Sequence, residues 1–253
     1  MDIRGDFARD LRARKELAGV FVKSTDPAVV EILGHAGFDF AILDAEHVAL
    51  GRADVARMAI AGRAAHLPLL VRIPEASGAW IATVLDAGCA GVMVPQVSSP
   101  AAARDLVRRM RYGPGGMGFS PSTPGADYGT RGIAGHLERQ PGETVLICQI
   151  EDRDAVASAA DIAAVEGVDA LLLGPVDLAV SIGAQDPAGE DVAELCRQTI
   201  SAGAAAGKAS GLFLSDPAHS TRWRNAGATL FVLGSDQSYM MGAGRAALAA
   251  FRN

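Results

Sequence analysis

The chain has 253 residues, 49% of them hydrophobic and 21% charged, with a formal net charge of −6 at pH 7. That length allows one large domain, and the apolar fraction suits a sizeable core and excludes a disordered chain. A negative surface gives no attraction to phosphate backbones or anionic lipid, so nucleic-acid and membrane partners are not expected. The opening segment, MDIRGDFARDLRARKELAG, is charged throughout and lacks the apolar core of a secretory signal. No apolar stretch approaches the roughly 20 residues that span a bilayer. Cys89, Cys148 and Cys196 are odd in number, far apart and never in C-x-x-C spacing. They read as buried thiols in a reducing compartment, which makes the cytoplasm the expected location.

Short apolar runs alternate with helical stretches along the chain. A first strand over Gly19–Lys23 precedes a helix over Pro27–Ala36, where Asp26-Pro27 combines an N-cap with a first-turn proline. Strand two, Phe40–Asp44, leads to a helix over Arg52–Ala64, and strand three, Leu69–Arg72, to one over Ala79–Ala87. Strand four, Gly91–Pro95, leads to a helix over Pro100–Met110 opened by Ser99. The longest irregular stretch follows, Arg111–Gly132, and a loop of that length marks a functional lid or an oligomer contact. Strands five and six are Val145–Ile150 and Ala170–Leu173. A helix over Val192–Ala206 precedes strand seven, Gly211–Leu214, and strand eight is Thr229–Leu233. Gly34, Gly88 and Gly207 fall where helices should stop.

Most of these strands are near-continuous apolar runs, as parallel strands covered on both faces require. Such an alternation admits a closed barrel or an open doubly wound sheet. The turn after strand one, Lys23-Ser24-Thr25-Asp26-Pro27, is not glycine-rich, and neither G-x-G-x-x-G after a strand nor G-x-x-x-x-G-K-[ST] occurs. The expected fold is a single (β/α)8 TIM barrel over residues 1–253.

In such a barrel the site forms at the C-terminal strand ends, so polar residues there are the informative ones. Strand two ends in Asp44-Ala45-Glu46-His47, strand three in Arg72, strand five in Gln149-Ile150-Glu151, strand six in Gly174-Pro175-Val176-Asp177 and strand eight in Gly234-Ser235-Asp236. Gln149 and Glu151 are two apart and share a face of their strand. Glu151 and Asp177 leave successive strands and can converge, and two converging carboxylates need a cation or a shared proton between them. An all-oxygen pair suits Mg²⁺ or Mn²⁺, whereas helix capping or pairing with a surface arginine is the structural alternative. Arg72 follows an apolar run and must meet an anion, either a protein carboxylate or a substrate oxyanion. His47 has the titration range of an acid/base, or could simply cap a loop. Imine chemistry needs a lysine in the mouth, and only Lys23 is placed for it, which disfavours that route.

The strings FDFAILDAEH, VRIPEASGAWIATVLDAGCAGVMVPQV, RYGPGGMGFSPS, VLICQIED and VDALLLGPVDLAVSIG, in that order, resemble one known family. It is the HpcH/HpaI aldolase/citrate lyase family, with its metal-dependent aldolases for 4-hydroxy-2-oxoheptanedioate and 2-keto-3-deoxy sugar acids. The resemblance runs from strand one to strand eight. It implies a pyruvate-type barrel that exchanges its last helix between subunits to form a hexamer. It implies that Glu151 and Asp177 bind Mg²⁺, Mn²⁺ or another divalent ion, that Arg72 holds the keto or enolate oxygen, and that His47 is the acid/base. Gln149 would support the substrate, and the backbone at Gly174, Pro175 and Val176 would cradle its carboxylate. Asp44 and Asp86 match acidic positions of the family, with Asp86 orienting a histidine across a subunit boundary.

The implied reaction is reversible cleavage of a 4-hydroxy-2-oxo acid to pyruvate, or a close 2-oxo acid, and an aldehyde. Alternatives are a C–C lyase acting on a dicarboxylic acid or acyl-CoA thioester, and a non-catalytic barrel that binds a 2-oxo acid. Two residues depart from the usual pattern: Met117 where many relatives carry arginine, and Val176 where alanine is common. Both are expected to reshape the pocket for the aldehyde.

Overall fold

The computed structural model describes residues 2–252. Eight parallel strands, β1 (Leu17–Val22), β2 (Phe40–Asp44), β3 (Leu69–Arg72), β4 (Gly91–Val94), β5 (Val145–Ile150), β6 (Ala170–Leu173), β7 (Ala209–Leu214) and β8 (Leu230–Ser235), close into a barrel in chain order. The helices before β5 are α1 (Ile3–Arg12), α2 (Pro27–His35), α3 (Arg52–Ala64), α4 (Gly78–Asp86), α5 (Pro100–Arg109) and α6 (Gly132–Glu143). After it come α7 (Arg153–Ala157), α8 (Ala159–Ala163), α9 (Pro175–Ile182), α10 (Glu190–Ala205), α11 (Ser220–Asn225) and α12 (Asp236–Arg252). None of the described helices is long and apolar enough to cross a membrane.

All eight expected strands form, with ends within two residues of the expected ones. Apolar runs read well because both faces of each strand are buried: one faces the barrel interior and the other the helical shell. The predicted caps hold too, since Asp26 Oδ1 accepts from Ala28 N at 3.0 Å and Ser99 Oγ from Ala102 N at 3.2 Å. Sequence reading missed α1 and the short helices α7, α8, α9 and α11. The region expected to be irregular contains a 3-10 turn, Pro124–Gly129, and gives way to α6, whose Gly132, Gly135, Pro141 and Gly142 conceal its periodicity. The three cysteines are buried and free.

The barrel interior is a separate apolar cluster, and α1 closes its lower end. Phe7 of α1 packs on Phe40 with ring centroids 5.3 Å apart, and Ala8 and Leu11 complete the plug. Close strand approach demands glycine at Gly91, against the Val145 carbonyl, and most tightly at Gly211. A Cβ on Gly211 would sit 1.5 Å from the Leu230 carbonyl oxygen, so β7 and β8 can pair there only without a side chain.

The last helix departs from the shell. Asp236 is buried, but every residue from Gln237 to Arg252 is exposed. Asp236 holds its base in place, accepting from the Lys23 and Ser24 N–H groups at 2.9 Å each. From there a 17-residue helix, about 25 Å long, extends with Met240, Met241, Leu248 and Phe251 in the open.

Because α1 plugs the barrel with a fully enclosed aromatic contact, Phe7→Ala should destabilise the fold by about 3–5 kcal/mol in denaturant titration. A loss below about 1 kcal/mol would show that α1 is not an integral floor.

Candidate active site

Strand register builds the site from its deepest pair. Asp44 and Arg72 end β2 and β3 and are directly paired in the ladder. Their side chains meet in a two-pronged contact: Arg72 Nε donates to Asp44 Oδ1 at 3.0 Å and Nη2 to Oδ2 at 2.8 Å. Asp44 is fully buried, and its Oδ1 also accepts from the N–H groups of Glu46 and His47. Burial alone would raise the Asp44 carboxyl, but the Arg72 guanidinium overrides it and holds it below the usual carboxylate range. The guanidinium lies 4.6 Å over the Phe21 ring, and Glu46 Oε2 stands 3.3 Å from its Nε. The remaining nitrogen, Nη1, has no hydrogen-bond partner among the described residues.

Above this pair lies a cavity of about 300 Å³. Arg72, His47, Gln149, Asp177 and the Gly174-Pro175-Val176 segment line it, as do Lys23, Phe21, Phe213 and Ser235. His47 is exposed on the loop after β2, with Nε2 3.6 Å from Glu46 Oε2. Glu46 therefore stands between the arginine and the histidine.

On the far wall Gln149 Nε2 donates to Glu151 Oε1, and the Gln96 N–H donates to Glu151 Oε2 at 2.9 Å. Gln96 holds that N–H in place with a left-handed backbone, φ 56°. Burial pushes the Glu151 carboxyl up to about 7; the Gln96 hydrogen bond opposes this, while the charges of Asp177 and Glu46 reinforce it. Asp177 is exposed in the first turn of α9.

Glu151 and Asp177 converge over Gly174. A Cβ there would lie 2.8 Å from Asp177 Oδ2, 3.4 Å from Gln149 Nε2 and 3.5 Å from Glu151 Oε1. The missing side chain leaves a polar cradle, and the buried Gln149 Oε1 beside it has no partner. No group of three or more His, Cys, Asp or Glu side chains among the described residues is placed to hold a metal ion. The two carboxylates fit a hard divalent cation only if water and substrate oxygens supply the rest of its shell, as is usual for Mg²⁺.

Asp86, expected to act across a subunit boundary, and Met117 lie away from this cavity. Asp86 is the last residue of α4, which runs back from the mouth, so it sits at the opposite end of the barrel against the 3-10 turn. Its carboxyl is pushed up by burial, and its Oδ1 has no partner. Met117 was expected to shape the pocket, but it is 6% exposed and packs in the core between barrel and helices. Its N–H donates to the Arg111 carbonyl at 2.8 Å, which folds the loop back and gives the thioether an apolar niche. Val176, by contrast, does line the cavity. Sequence reading missed Phe21, Phe213 and Gln96, because an aromatic in a strand and a backbone N–H carry no chemical signature.

Residues 17–243 match the family described as HpcH/HpaI aldolase/citrate lyase. The chain belongs to this family. It is 32% identical over 237 residues to a hydroxypyruvate/pyruvate aldolase of Roseovarius nubinhibens, covering 93% of this chain and 92% of that one. It is also 32% identical over 234 residues to a 2-keto-3-deoxy-L-rhamnonate aldolase of Klebsiella pneumoniae, covering 91% and 86%. A solved HpcH/HpaI aldolase/citrate lyase family protein from Burkholderia cenocepacia superposes with a TM-score of 0.92 at 32% identity, over 98% of this chain and all of that one. The protein is a carbon–carbon lyase of the aldolase class.

In metal-free protein Glu151 holds its proton more tightly folded, near pH 7, than at its ordinary value of 4.5. Its contribution to stability is therefore fully present below pH 4.5 and lost as the pH rises through about 7. Glu151→Gln should flatten the decline of Tm from about pH 5 to pH 8 in chelator-treated samples. An unchanged slope would contradict this environment for the carboxyl.

Proposed function

We propose that the protein is a divalent-metal-dependent aldolase that reversibly cleaves a 4-hydroxy-2-oxo acid to an aldehyde and pyruvate or a close 2-oxo acid such as hydroxypyruvate. One observation carries the reading: Arg72, rigidly held with its Nη1 unpartnered, lines the same small cavity as Asp177 and Gln149, and Glu151 meets both of these over Gly174. The names of the relatives support a pyruvate-type substrate.

Glu151 and Asp177 would hold the cation, which when bound supplies Lewis-acid stabilisation of the charge that develops on the 2-oxo oxygen. Arg72 Nη1 donates to that same oxygen, and because Asp44 fixes the guanidinium beforehand, little reorganisation is needed during the reaction. The N–H groups of Val176 and Asp177, in the first turn of α9 and without intrahelical acceptors, receive the substrate carboxylate. Gln149, tied to Glu151 through its Nε2, supports the substrate from the cavity wall. His47 accepts the proton of the 4-hydroxyl as the C3–C4 bond breaks, and Glu46 beside it stabilises the protonated ring. Asp44 is a positioning residue: it is fully buried and acts through Arg72.

The protruding α12 fits a helix exchanged between neighbouring subunits, and we assign it that role in a hexamer. Its apolar residues would otherwise face water, with Phe251 87% exposed. Such an assembly would also give Asp86 a neighbour's mouth to serve, which its own barrel denies it.

Pyruvate should appear from members of a panel of 4-hydroxy-2-oxo acids, and chelation should abolish it. Arg72→Ala should lower turnover by about 10²–10³. No pyruvate from any compound, chelator-resistant release, or near-wild-type turnover by Arg72→Ala would each overturn part of this assignment. For the assembly, Leu248→Asp with Phe251→Asp should give a smaller species by light scattering after size exclusion. An unchanged mass would rule out α12 as the joining element.

A further inference from the structure

Lys23 is a charged group in the cavity that neither the barrel nor the reaction above employs. It directly follows β1, and its backbone N–H is fixed by Asp236 Oδ1 at 2.9 Å. Its side chain lines the cavity and is 28% exposed. The ammonium lies 3.5 Å from Asp44 Oδ2, but that oxygen is already taken by Arg72 Nη2 at 2.8 Å. Asp236 is equally committed, to the N–H groups of Lys23, Ser24 and Gln237. Among the described residues the Lys23 ammonium makes no hydrogen bond. Three N–H donors thus face a concave site with one long ion pair among them, an arrangement that favours an added anion.

Barrel order says which part of the substrate that anion belongs to. β1 lies four strands from β5, which carries Gln149 and leads into Glu151, and three from β6, which leads into Gly174 and Asp177. A three-carbon 2-oxo acid anchored at Glu151, Asp177 and the start of α9, with its 2-oxo oxygen at Arg72, occupies the β3–β6 side of the mouth. The β8–β1 side, with Lys23 and Ser235 above the Phe21 and Phe213 rings, is left for the other half of the substrate.

We propose that Lys23 is a specificity-determining residue on the aldehyde side of the site, where its ammonium pairs with a carboxylate carried by the aldehyde partner. The preferred second substrate is then an aldehyde acid, not a neutral aldehyde. This rests on the aldolase reading given above. The lysine takes no part in bond making. It draws the anionic end of the aldehyde toward β1, which turns the carbonyl carbon toward C3 of the 2-oxo acid. Methionine at position 23 keeps the length of the side chain and removes its charge, and arginine keeps the charge.

The test compares two aldehydes of similar size, anionic glyoxylate and neutral glycolaldehyde, as acceptors for pyruvate with wild type, Lys23→Met and Lys23→Arg. Wild type should favour glyoxylate. Lys23→Met should lower the glyoxylate-to-glycolaldehyde ratio of kcat/KM by about 10-fold or more, mainly through the KM for glyoxylate. Lys23→Arg should recover much of that ratio. An equal fall for both aldehydes would make Lys23 a structural partner of Asp44 and overturn the proposal, as would an unchanged ratio. Deuterium uptake from D2O into the pyruvate methyl group by wild type, with no aldehyde present, reports on the underlying reading separately. No uptake would remove the aldolase reading and this proposal together, whereas uptake with an unchanged ratio would remove only the role of Lys23.

Discussion

A carboxylate with no exposed surface, Asp44, grips an arginine that is 6% exposed, at matched positions on β2 and β3. Either charge alone would be costly to bury at the floor of the mouth, and breaking such a pair typically costs about 3–5 kcal/mol. Together they fix the guanidinium plane, because two parallel hydrogen bonds leave it no rotation. The groups nearest the pair are set against that plane. Nη1 is left open, the Phe21 ring supports the other face, and Glu46 shares the arginine while approaching His47. What resembles a catalytic aspartate in the sequence is thus a foundation, and Arg72 is the member of the pair that lines the cavity.

The opposite wall follows another logic. Glu151 is raised toward pH 7 by burial and by the negative charges nearby, so without a cation it is poised to hold a proton. Gly174 leaves room at the point where its carboxylate, that of Asp177 and the Gln149 amide meet. A cation bound there would resolve the repulsion that burial and proximity create, and in the proposed reaction its charge would also serve the substrate oxygen. The two walls provide fixed positive charge on one side and a cation-seeking pair on the other, with space for a small 2-oxo acid between them.

Much of this was legible in the sequence, for physical reasons. Buried parallel strands are long apolar runs, so Leu69-Leu70-Val71 and Ala170-Leu171-Leu172-Leu173 declared themselves, and their polar successors Arg72 and Asp177 fell at the mouth by topology. The two-residue spacing of Gln149 and Glu151 gave their shared face directly. What stayed hidden depended on three-dimensional proximity. Whether Arg72 meets a protein carboxylate is decided by the β2–β3 register, which sets it against Asp44 while it also lines the cavity. Met117 was expected at the pocket because it stands where many relatives carry arginine, yet the loop folds it into the core. Asp86 lies on a helix that runs away from the mouth, a direction spacing cannot reveal. Lys23 was visible as a lysine at a strand end, but only the geometry around Asp44 and Asp236 shows that its donors are unspent.

The central claim is that Asp44 makes the site work by orienting Arg72 toward the 2-oxo oxygen. It is tested most directly by the rate of deuterium exchange into the pyruvate methyl group, measured with metal present for wild type, Asp44→Asn and Arg72→Lys. Asparagine lacks the charge and one of the two acceptors, and lysine lacks the planar fork. The account predicts that both variants, folded by circular dichroism, lose exchange by about 10²-fold or more. Near-wild-type exchange by folded Asp44→Asn, with Arg72→Lys inactive, would show that Arg72 is positioned without Asp44 and would contradict it.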